Sequence, residues 1–137
     1  MSYSAMDCEI FIPNSLLMNG GGIYNLGPGQ GTDQTEIMLN LCYGLIAGEG
    51  KYNPNLVAKE YMQWFEGKPF NFSAVFALSM KDLRKMKTDK IKIDESKVGE
   101  ILLQSSRVNK NQESSIGLIR ILPLTIFSLK FSDSDFE

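Results

Sequence analysis

Apolar positions recur at helical spacing along most of this chain. Ile37, Met38, Leu41, Cys42, Leu45 and Ile46 follow the i, i+1, i+4, i+5 pattern of one helical face. Asp33 stands before them as a candidate N-cap, and Glu36, three residues on, has capping-box spacing. Gly48 and Gly50 end the element. A second helix begins at Asn53 as cap with Pro54 in its first position. It turns Val57, Tyr61, Trp64 and Phe65 inward and closes at Gly67 and Pro69.

The remaining pattern predicts three more helices. Residues 72–86 carry Phe72, Val75, Phe76, Leu83 and Met86 as a buried stripe. The lysine-rich stretch from Lys81 to Lys92 reads as a solvated helix end plus linker. Its lysines 81, 85, 87, 90 and 92 are the one basic cluster, open to an acidic partner. A fourth helix runs from Ser96 to about Arg107 on Val98, Ile101, Leu102 and Leu103. After a polar loop at 109–115, the last apolar segment, 116–131, reads as a helix kinked near Pro123. Its β-branched residues leave a strand as the alternative. The expected fold is mainly α, one compact helical domain over 1–131 with an acidic tail at 132–137.

The first 31 residues differ from the rest. Six of the twelve glycines lie between 20 and 31, which marks a glycine-rich loop rather than a regular element. Composition narrows the chemistry further. The chain has 137 residues, 43% of them apolar, enough to build a core without disulfides or metals. It contains no histidine, which removes Ser-His and Cys-His catalysis, histidine general bases and histidine-ligated zinc. The formal charge of −2 argues against a nucleic-acid or anionic-membrane surface. Two separated cysteines, Cys8 and Cys42, fit a reducing compartment, and no run of apolar residues is long enough for a membrane span. A cytoplasmic location, with association to a cytoskeletal or other large assembly, is the corresponding expectation.

The glycines lead into Pro28-Gly29-Gln30-Gly31-Thr32-Asp33-Gln34-Thr35. This run resembles the ADP-ribosylglycohydrolase family, in which a glycine-rich loop passes through a P-G-Q-x-T-D-D-T pattern into a core helix. The likeness continues through Asn53 to Phe65 and returns at Leu118-Ile119-Arg120-Ile121-Leu122-Pro123-Leu124. The resemblance implies a helical bundle, here its N-terminal half, and cleavage of the glycosidic bond between ADP-ribose and an acceptor. It implies paired magnesium or manganese ions, with Thr32, Asp33 and Gln34 at the metal positions. Gly21, Gly22 and Gly31 fall at the ligand loop, and Glu9 at the acidic position of the first motif. Without the resemblance, Thr32 to Thr35 reads as plain helix capping.

Several departures weigh against turnover. Gln34 stands where the family has a second aspartate and brings no charge to a cation. Asn71 stands where some members carry an aspartate, and an amide accepts no proton at neutral pH. The family's G-N-G pattern falls on Ser114-Ser115-Ile116, which puts side chains where backbone should approach a ligand. Asp133-Ser134-Asp135 imitates a late family motif but reads as part of the acidic tail.

The expected function is therefore a truncated, degenerate and non-catalytic subunit of a protein assembly. Phe70, Phe72, Phe76, Ile121, Ile126, Phe127 and Phe131 are the apolar positions a partner would cover. The alternatives are an ADP-ribose binder without turnover, or a magnesium-dependent hydrolase completed by a partner chain.

Overall fold

The computed structural model describes residues 16–111 and 115–129. The chain divides into two compact units, Met1–Thr32 and Asp33–Glu137. In the first unit, the described residues form a loop closed on itself. Gly21 and Leu26 exchange backbone hydrogen bonds of 2.7 and 2.9 Å around a tight turn. Gly29 then donates to the Met18 carbonyl at 2.8 Å. Gly20 is irreplaceable here, because it has a φ of +80° and a Cβ would lie 2.3 Å from the Leu26 carbonyl oxygen.

The second unit contains six α-helices among its described residues: α1 Asp33–Ala47, α2 Pro54–Glu66, α3 Ala74–Ser79, α4 Lys81–Thr88, α5 Val98–Ser106 and α6 Ile121–Ser128. Short 3-10 turns at Glu95–Lys97, Arg107–Asn109 and Ser115–Arg120 lead into or out of α5 and α6. The chain is mainly α, and no described segment forms a strand, so the strand alternative for the last apolar run is not taken.

The first two helices follow the sequence pattern except at Ile46, which is exposed at the last turn of α1. Ile37, Leu41 and Leu45 of α1 pack on Val57, Ala58 and Tyr61 of α2. Asn53 caps α2 by accepting the Asn55 backbone N–H at 3.0 Å, with Pro54 beside it in the first position. At the other end Gly67 keeps a right-handed φ of −63°, and Lys68, before Pro69, takes the left-handed one of +55°. Proline disfavours the right-handed helical conformation in the residue before it, so the reversal falls at Lys68 rather than at the glycine.

The stripe expected over 72–86 splits into α3 and α4 at Met80, which has φ −87° and ψ −2°. Ser73 caps α3 through the Phe76 N–H at 3.2 Å. The Val75 carbonyl receives the Ser79 hydroxyl at 3.1 Å and the Asn109 amide at 2.8 Å. Such back-bonding bends a helix. Phe76, Met80 and Leu83 nevertheless join the core, and Phe76 meets the edges of Tyr61 and Trp64 at 5.6 and 5.1 Å. Phe76 is thus buried, not open to a partner.

Asp94 caps the turn into α5, where Val98 is buried but Leu103 faces solvent. The last helix starts at Ile121, preceded by a 3-10 turn, instead of running from 116 with a kink. Pro123 lies in its first turn, where the missing N–H removes no helical bond. Phe131 and the acidic tail lie outside the described residues.

Two glycines permit the close helix packing. A Cβ on Gly44 of α1 would lie 2.6 Å from the Val57 Cα of α2. One on Gly99 of α5 would lie 2.8 Å from the Pro54 carbonyl carbon, and the Gly99 N–H donates to Asn55 Oδ1 at 2.8 Å. Alanine at position 44 gains about 1 kcal/mol of helix propensity. The overpacking costs about 1–3 kcal/mol, and backbone atoms cannot yield as a side chain would. Gly44→Ala is therefore expected to lower the urea midpoint with an unchanged slope; a rise would show that the two helices part freely.

Candidate functional site

The start of α1 is built around Asp33, the first residue of the helix and buried at 8% exposure. A carboxylate in a first turn is favoured by the helix dipole. Asn71, in the segment between α2 and α3, donates from Nδ2 to Asp33 Oδ1 at 3.4 Å. Gln34 and Thr35, the next two residues, are exposed. Thr32 closes the first unit of the chain and Asp33 opens the second. Of the expected metal positions, one carboxylate is thus buried beside an amide, and the glutamine faces solvent.

Glu36 does not complete a capping box. Its Oε2 accepts the Trp64 indole N–H at 2.7 Å, tying the start of α1 to the end of α2. Phe65 packs edge-on against Phe72 at 5.0 Å in the same region. The helix start is therefore framed by side chains from α1, α2 and the segment that carries Asn71.

Gly21 and Gly22 occupy the turn of the first unit with φ of +93° and +73°, and a Cβ on either would meet nothing. Their conformation, rather than crowding, calls for glycine there. Gly31 lies in irregular backbone before α1. Glu9 and Ser114 lie outside the described residues. Among the described residues, no three His, Cys, Asp or Glu side chains group as donors for a metal ion.

A second constellation, absent from the sequence reading, lies between α2 and the end of the 3-10 turn before α6. Arg120 donates from Nε to the Tyr61 hydroxyl at 3.1 Å, and its guanidinium lies 5.5 Å from the Tyr61 ring centroid. Burial pushes the Tyr61 phenol above its ordinary value of 10.0, and Arg120 opposes part of that rise. The signal was present: Arg120 is the one charged residue in the apolar run 116–129.

Comparison with known proteins finds 28% identity over 105 residues with a protein of Acanthamoeba polyphaga mimivirus named "Putative ADP-ribosyl glycohydrolase". The match covers 77% of this chain and 28% of that relative. It is a distant likeness, and this chain spans less than a third of the viral protein. No family model and no solved structure matches the chain.

Two outcomes follow from this geometry. Asp33→Ala is expected to cost about 1 kcal/mol in chemical denaturation through the lost helix-start interaction. Tyr61 binds its proton more tightly when folded, so its contribution to stability is complete below pH 10.0 and is lost as pH rises through the folded value. An alkaline titration of phenol absorbance should show one tyrosine ionising late, and Tyr61→Phe should remove that step. Ionisation of Tyr61 together with the exposed tyrosines would contradict the burial argument.

Proposed function

We propose that this chain is a degenerate relative of the ADP-ribosylglycohydrolases that serves as a non-catalytic subunit of a protein assembly. The observation that carries the reading is the Asn71–Asp33 pair at the start of α1. Two carboxylates at this separation would repel one another and draw a cation between them. An amide facing a carboxylate instead forms a hydrogen bond, and the buried charge is met from within the chain. Exposed Gln34 supplies an amide oxygen and no charge. Thr32, Asp33 and Gln34 remain the residues that would hold a magnesium ion, a hard cation suited to their oxygen atoms, with one carboxylate among them.

The interaction half of the proposal rests on α6. Its sequence, Ile121–Ser128, contains no charged residue, and Ile121, Leu122, Leu124 and Ile126 are all exposed. A helix apolar around its whole circumference is normally covered on more than one side. A protein partner on this surface fits that rule. Phe70 and Phe72, in the segment between α2 and α3, add exposed aromatic area.

Asn71→Asp separates this reading from that of a working metal site. The variant places a second carboxylate beside Asp33, so above the carboxylate range it is expected to melt below wild type, and magnesium is expected to restore it. A cation held at one hundred times its Kd contributes about 2.7 kcal/mol. Wild type should show no magnesium dependence and no release of ADP-ribose from an ADP-ribosylated arginine peptide. Magnesium-dependent turnover by the unaltered chain would refute the non-catalytic reading.

A further inference from the structure

The Arg120–Tyr61 pair stands on the wall of a groove of about 650 Å³ formed by α1, α2, α3, α5 and α6. This volume falls within the range of small-molecule sites. The walls are mostly apolar, with Leu41, Val57, Phe76, Leu102 and Leu124 among them. The groove is separate from the helix start discussed above. Leu41 is eight residues beyond Asp33, about 12 Å along α1 at the helical rise.

Arg120 is half-buried and held in two ways. Its Nε is spent on the Tyr61 hydroxyl, and its Cζ lies over the Tyr61 ring. That leaves the four hydrogens of its two terminal nitrogens, a flat fork that matches a carboxylate. Among the described residues, no carboxylate forms an ion pair with it. The other charged wall residue, Glu100, lies on the exposed rim and accepts the Gln104 amide at 3.2 Å. The groove thus joins one oriented cation to an apolar cavity.

We propose that this groove binds a small organic monocarboxylate with an aromatic or alkyl body, its carboxylate paired end-on with Arg120. Charge sets the class. A single guanidinium neutralises one negative charge in an apolar setting, whereas a phosphate dianion would carry an uncompensated charge into the groove. Glu100 at the rim adds to that penalty. The Tyr61 contact fixes the fork before the ligand arrives, so binding need not order a free arginine side chain. This site is independent of the role proposed for Asp33 and Asn71, and either can fail without the other.

The probe is 2-naphthoate, with 2-naphthamide as its uncharged counterpart, titrated into the full chain by calorimetry. One-to-one binding of naphthoate at least tenfold tighter than naphthamide is expected, and Arg120→Gln should erase the difference. Arg120→Lys, which keeps the charge and loses the fork, should retain only part of it. Should the Arg120 variants fail to fold, the acid–amide comparison on wild type decides alone. Equal affinity of the two probes, no saturable naphthoate binding, or displacement of naphthoate by inorganic phosphate at lower concentration would each overturn the assignment.

Discussion

The approach of α1 to α2 at Gly44 is the constraint on which the second unit depends. The absence of a side chain there lets Val57 backbone sit where a Cβ would otherwise be. At that spacing Ile37, Leu41 and Leu45 interdigitate with Val57, Ala58 and Tyr61. The same approach sets the end of the pair where α1 starts and α2 finishes. There the Glu36 carboxylate reaches the Trp64 indole, and the segment after α2 brings Asn71 to Asp33. Along the face, Tyr61 is carried into the groove that Arg120 enters.

Polar contacts then fix how the later helices seat on this pair. Asn55 accepts the Gly99 N–H, which registers the start of α5 against the start of α2. The buried Ser105 donates its hydroxyl to Asp82 at 2.6 Å, joining α5 to α4. The Asn109 amide holds the bend region of α3 through Val75 and Ser79. Each is a contact with partly or fully buried surroundings, where an unmet polar group would be costly. Specific geometry, rather than apolar area alone, therefore determines the arrangement of the short helices.

The parts legible in the sequence were those governed by local rules. The Asn53–Pro54 start and the inward positions of α1 and α2 follow from capping and periodicity, which act within a few residues. The break at Met80 was not legible in the apolar stripe, and the Asn109 amide that bonds Val75 and Ser79 beside it arrives from far along the chain. The role of Gly44 and Gly99 was not legible either, since only the neighbouring helix reveals why no side chain fits. Pro123 pointed to a kink, yet the helix begins just before it, and a first-turn proline needs no N–H partner. At the helix start, Asp33 stood out in the sequence, but its buried contact with Asn71 is a long-range one. Arg120 was visible as a lone charge in an apolar run, and Tyr61 as a core aromatic, with nothing local to pair them.

The central proposal is that the buried carboxylate of Asp33, which accepts the Asn71 amide, is no longer a cation site. It is tested most directly by the thermal midpoint of the unaltered chain, followed with ADP-ribose and magnesium together and again with a chelator. The account predicts one cooperative transition at the same temperature in both conditions. A midpoint that rises with ADP-ribose and magnesium, and falls back on chelation, would contradict it, because only a ligand that binds the folded state raises the transition.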